Sequence, residues 1–87
     1  MRIKLTKEAD KFISKQDKPT RKRIIKGIEE LREADYHESL VGYPLFKKRV
    51  GDYRIIYDQN GHILSIILVG NRGQMYRDLK NRFKQKR

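Results

Sequence analysis

Apolar positions along this chain follow two different rhythms. After a short alternating stretch at Arg2–Leu5, read as a strand, Ala9, Phe12 and Ile13 fall on one stripe of a helix over Lys7–Gln16. Thr6 stands before it as an N-cap, its hydroxyl placed to accept from a free backbone N–H. Asp17-Lys18-Pro19 marks the next start, since Pro suits a first helical turn, where its missing N–H is no loss. Ile24, Ile25, Ile28 and Leu31 then carry a second helix to Ala34, and the two helices form a hairpin with a very short connection. Asp35–Tyr43 reads as a loop. Beyond it the period changes to two, giving strands over Leu45–Val50, Tyr53–Asp58 and His62–Val69. Gly70–Gly73 ends the last strand. Helical spacing returns through Met75 or Tyr76, Leu79 and Phe83, and a polar tail, Lys84–Arg87, is expected to fray.

The order is β-α-α-β-β-β-α over a single domain, residues 1–87. The expected class is α+β, an antiparallel sheet with the helices packed on one face. Two turns set the expected register. Gly51-Asp52, as a two-residue type II′ loop, sets Val50 against Tyr53, Arg49 against Arg54 and Lys47 against Ile56. Asn60-Gly61, as a type I′ turn, sets Tyr57 against Leu64, Ile55 against Ile66 and Arg54 against Ile67. One face then collects Phe46, Val50, Tyr53, Ile55, Tyr57, Leu64, Ile66 and Leu68 as core. Lys48 falls on it too, a mismatch to be relieved by snorkelling or a bulge.

The opposite face collects Lys47, Arg49 and Arg54 with Ile56, Ser65, Ile67 and Val69. Like charges directly opposite one another destabilise a sheet, so Arg49 against Arg54 calls for a reason other than folding. From Gly51 to Tyr76 the only basic side chains besides His62 are Arg54 and Arg72. Tyr76 follows Arg72 by four residues, one turn away on the same helical face if the helix has begun. Cations with an aromatic at the rim can hold a phosphodiester and stack a base. The plain alternative is a solvated, basic sheet face.

Charge sharpens this. The 87 residues hold 22 Lys and Arg against 11 Asp and Glu, a net charge of +11, which favours a polyanionic partner. With no Cys, disulfides, thiolate metal sites and cysteine catalysis are excluded. No apolar run approaches the roughly 20 residues of a membrane span, and no signal-peptide pattern opens the chain, so a cytoplasmic location is expected. His37 and His62 read as solvated or satisfied histidines. No metal-ligand spacing, P-loop or dinucleotide fingerprint occurs, and no cofactor or metal is expected.

Arg49-Val50-Gly51-Asp52-Tyr53-Arg54-Ile55-Ile56-Tyr57 resembles the central signature of the RelE/ParE toxin superfamily. Val69-Gly70-Asn71-Arg72-Gly73-Gln74-Met75-Tyr76 is similar to the family's closing motif, with Asn71 where a histidine is frequent. The helix-hairpin stretch from Asp17 to Leu31 also resembles the family, so the likeness covers essentially the whole chain. It implies a RelE-like toxin of a type II toxin–antitoxin system, a metal-independent endoribonuclease that cuts mRNA in the ribosomal A site. By position, Lys47 would be the base or its electrostatic substitute. Arg54 would stabilise the phosphorane, Arg72 would serve the leaving group, and Tyr76 would stack on the base. Arg49, together with Lys48, Arg77 and Lys80, would bind RNA. Some members carry a second lysine where this chain has Leu45. The implied partners are an acidic cognate antitoxin in a hetero-oligomeric complex, the 30S ribosomal A site and mRNA. Two alternatives stand beside this: a ParE-like toxin that inhibits gyrase without RNase activity, and a basic module that only grips RNA.

Overall fold

In a computed structural model, residues 2–84 are described, except the side chains of Arg72, Arg82, Phe83 and Lys84. The expected fraying of the tail beyond Lys84 and the expected place of Phe83 on the helical stripe fall outside them. The elements are β1 (Arg2–Leu5), α1 (Lys7–Ser14), α2 (Lys18–Glu30), β2 (Glu38–Ser39), β3 (Phe46–Val50), β4 (Tyr53–Asn60), β5 (Ile63–Asn71) and α3 (Arg72–Lys84). A 3-10 turn at Leu31–Glu33 closes α2. Both expected caps form. The Ala9 N–H donates to Thr6 Oγ1 at 3.1 Å, and the Thr20 N–H donates to Asp17 Oδ1 at 3.0 Å. Each satisfies one of the backbone donors that a helix start leaves free.

The strands form one sheet in the order β1-β5-β4-β3-β2. The α+β class is as expected, with differences of detail. The sheet is mixed, because β1 runs parallel to β5 while the other pairs are antiparallel. The stretch read as a loop contributes β2, a two-residue edge strand against β3.

The first hairpin has the expected register, with Val50 opposite Tyr53 and Arg49 opposite Arg54. The second does not. Asn60 pairs with Ile63, so the loop is Gly61-His62, and Tyr57 meets Ile66 rather than Leu64. Gly61 has φ +62° and Gly51 has φ +58°, while no described non-glycine residue has positive φ. A type I′ turn needs positive φ at both loop positions. Both hairpins therefore put glycine first, the type II′ pattern.

A bulge follows from this shift. Tyr57 pairs with Ile66 and Ile56 with Leu68, which leaves Ile67 as an extra residue on β5. Past the bulge, Ile55 pairs with Val69 and Arg54 with Gly70, in place of Ile66 and Ile67. Leu68 and Val69 thereby exchange their expected faces. The bulge is pinned at the start of α1, where the Thr6 hydroxyl donates to the Ile67 carbonyl at 2.6 Å.

Two cores result. Under α1 and α2, Ala9, Ile13, Ile24 and Ile28 pack on Ile55, Tyr57, Leu64, Ile66 and Val69. On the other face, Met75 and Leu79 of α3 pack on Ile56 and Leu68, with Leu40 and Leu45 from the loop. The helices thus cover both faces, not one. The face expected to be open is closed over its apolar part, and its cations border what remains.

Candidate functional site

Lys47, Arg49 and Arg54 lie on the α3 side of the sheet by strand alternation. Arg54 is half-buried between β3 and β5, opposite Arg49 and Gly70, and Arg49 is exposed. Among the described residues neither guanidinium forms an ion pair. The Arg49 Nε donates to the Gly51 carbonyl at 3.2 Å, which turns the side chain along the hairpin. Arg49, Arg54, Asn71 and Gly73 line an open depression of about 420 Å³, with Gly51 and Asp52 at the hairpin end.

The start of α3 forms the far wall. β5 runs on to Asn71 and the helix begins at Arg72 without a linker, so Arg72 follows the strand directly rather than after three residues. The buried stripe of α3 runs through Met75, 1% exposed, and Leu79, 0% exposed. Tyr76 is 36% exposed and stands one turn beyond Arg72. Backbone N–H groups at a helix start attract anions, and Gly73 of this start lines the basic depression.

Lys47 is drawn aside. Its Nζ lies 3.4 Å from Glu38 Oε2 on β2, and it lines a second depression, of about 260 Å³, at the edge of β3. Arg49 borders both depressions and joins them. Lys48 points to the helix side, as its register requires, and snorkels to Glu30 Oε1 of α2 at 3.3 Å. The structure therefore separates Lys48 from the Arg49–Arg54 pair. Arg77 and Lys80 are exposed on α3, beside the buried Met75 and Leu79.

The sequence reading missed two participants. Glu38 lay in the stretch read as a loop, where no periodicity marks it, and Asn71 was noted only as a departure from a motif. His37 is the satisfied histidine it was expected to be. His37 is half-buried, with Nδ1 2.8 Å from the Tyr57 hydroxyl and its ring 5.5 Å from Phe46. Burial pushes the Tyr57 phenol up to about 12, helped by the negative charge of Glu38. At neutral pH Tyr57 therefore keeps its proton and can donate it to an unprotonated Nδ1. Among the described residues no three His, Asp or Glu side chains gather in a metal-binding group.

Among solved structures, this fold resembles the RelE toxin in the intact Escherichia coli RelBE toxin–antitoxin complex, with TM-score 0.72 and 23% identity, covering 82% of this chain and 95% of that one. The isolated E. coli RelE toxin matches with TM-score 0.71 and 23% identity, over 94% of this chain and 97% of that one. A RelB–RelE antitoxin–toxin complex from Methanococcus jannaschii matches with TM-score 0.67 and 26% identity, over 86% and 96%. No curated protein matches the chain. Residues 3–76 match the family described as the ParE toxin of the type II toxin–antitoxin system parDE. That match spans the first core, all of the second but Leu79, and the start of α3, and the chain belongs to this family, as a type II toxin of the RelE/ParE superfamily.

Proposed function

We propose that this toxin is a ribosome-dependent, metal-independent endoribonuclease, acting in the cytoplasm on mRNA in the ribosomal A site. The carrying observation is the Arg49–Arg54 pair, unpaired by any described acid, beside the start of α3. A sheet gains nothing from two opposed arginines, whereas a phosphodiester needs cations on its non-bridging oxygens.

In this reading a ribose 2′-oxygen attacks the adjacent phosphorus and the P–O5′ bond breaks, leaving a cyclic phosphate and a 5′-hydroxyl. Arg54 neutralises the phosphorane, and Arg49 holds the flanking backbone. Arg72 serves the departing 5′-oxygen, and Tyr76 stacks on a base. In its unprotonated form Lys47 takes the 2′-hydroxyl proton; as the ammonium it is the electrostatic substitute for a base. To reach substrate it exchanges the Glu38 carboxylate for phosphate. The open, shallow site leaves substrate orientation to the ribosome. Charge complementarity to a net +11 chain favours an acidic cognate antitoxin, and several structural relatives are toxin–antitoxin complexes.

The family's name supports a second reading, inhibition of gyrase without RNase activity. Primer extension on mRNA from programmed ribosomes, run beside a gyrase supercoiling assay, separates the two. Cleavage on ribosomes with normal supercoiling supports the first. Blocked supercoiling with intact mRNA supports the second. Equal turnover of naked and ribosome-bound mRNA would refute the ribosome dependence.

A further inference from the structure

Tyr36 is 77% exposed, a large apolar surface left in water on the segment between α2 and β3. It lines the second depression together with Lys47, Lys48, Arg49 and Tyr57. Its neighbour His37 is tied inward, hydrogen-bonded to Tyr57 and packed at a tilt against Phe46, and Glu38 is held by pairing with β3. The backbone on the C-terminal side of Tyr36 is therefore anchored, while the ring itself projects from it. An aromatic ring held beside cations offers a nucleotide two contacts at once: a face for the base and charge for its phosphate. Arg49 is common to this depression and to the one holding Arg54, so a single strand can pass from one to the other along one guanidinium.

We propose that the depression at the edge of β3 is a second nucleotide subsite, in which Tyr36 stacks on an unpaired base flanking the scissile phosphate. The inference rests on the endoribonuclease reading and adds to it a substrate contact across Arg49 from the Arg54 depression. The occupant is single-stranded RNA, because the aromatic face and the cations stand together at a depression that opens onto the Arg54 site. Lys47 and Lys48 there are paired with Glu38 and Glu30, so Arg49 is the lining cation without a described acid partner and the one that meets the phosphate. Stacking tolerates any base, so the subsite contributes grip and strand direction more than sequence choice.

The test uses the full-length toxin with programmed ribosomes and an mRNA whose cleavage-site ribose is 2′-deoxy, so that it binds without being cut. 2-Aminopurine is placed at successive positions flanking that ribose. With wild type, fluorescence is expected to be quenched at one flanking position, and Tyr36→Ala should restore it. Tyr36→Ala should also weaken binding by roughly tenfold, while Tyr36→Phe retains both the quenching and the affinity. Circular dichroism checks that the exposed substitution leaves the fold intact. If wild type cuts ribosomal mRNA but Tyr36→Ala leaves quenching and affinity unchanged, the subsite is wrong and the endoribonuclease reading stands. If Tyr36→Ala weakens only antitoxin binding, the surface is a protein contact and the proposal fails. If wild type neither binds nor cuts the message, both fail.

Discussion

Arg49 and Arg54 face each other directly across the β3–β4 pair, a like-charge contact at the mouth of the depression beside α3. Removing one of them relieves repulsion, so Arg54→Ala should leave the fold at least as stable. Cations that stabilise a developing charge are typically worth roughly 3–4 kcal/mol. Arg54→Ala is therefore expected to reduce ribosomal mRNA cleavage by a hundredfold or more, with growth inhibition lost at a melting temperature no lower than that of wild type. Arg72→Ala should behave alike. Full toxicity in either folded variant would remove that residue from the site.

Tyr57 couples the sheet to alkaline pH. Its folded-state pKa of about 12 lies above the ordinary value of 10.0, so the folded chain holds this proton more tightly than the unfolded one. Its contribution is full below about pH 10 and is lost as pH rises toward 12. Denaturant titrations from pH 9 to 12 should show stability falling more steeply in wild type than in Tyr57→Phe. At neutral pH the Phe variant should be less stable by about 1 kcal/mol, because His37 loses its partner. Parallel pH profiles for the two proteins would contradict the assignment.

Gly27 sits where α2 crosses β3. A Cβ there would lie 2.6 Å from Val50 Cγ2, a contact that a short β-branched side chain cannot easily relieve. Alanine would gain up to about 1 kcal/mol in helix propensity. Overpacking of this kind costs about 1–3 kcal/mol. Gly27→Ala is thus expected to lower the melting temperature, and a rise would show that α2 can shift outward freely.

Leu79 anchors α3, and α3 carries one wall of the site. The side chain is 0% exposed and belongs to the smaller of the two cores. Leu79→Ala is expected to destabilise the protein by about 2–5 kcal/mol. Hydrogen exchange should speed up in α3 before it does in β4 and β5. Uniform exchange across the chain would mean that α3 unfolds only with the rest.

Much of this protein is written locally in its sequence. The caps at Thr6 and Asp17, the helical hairpin and the order of the meander depend on neighbours a few residues apart. The Gly51-Asp52 turn likewise sets Arg49 against Arg54 with no help from elsewhere, which is why the core of the candidate site was legible. The second hairpin was not. Asn60-Gly61 is a strong local turn signal, but pairing beyond it slips to Gly61-His62 and inserts Ile67 as a bulge. The Thr6 hydroxyl, 61 positions away in sequence, holds that bulge. One inserted residue reverses every face that follows, moving Leu68 under α3 and Val69 under α1. The withdrawal of Lys47 to Glu38, the inward anchoring of His37 and the covering of the second face by α3 are of the same kind. Each joins segments that share no periodic pattern, so only packing of the whole chain decides them.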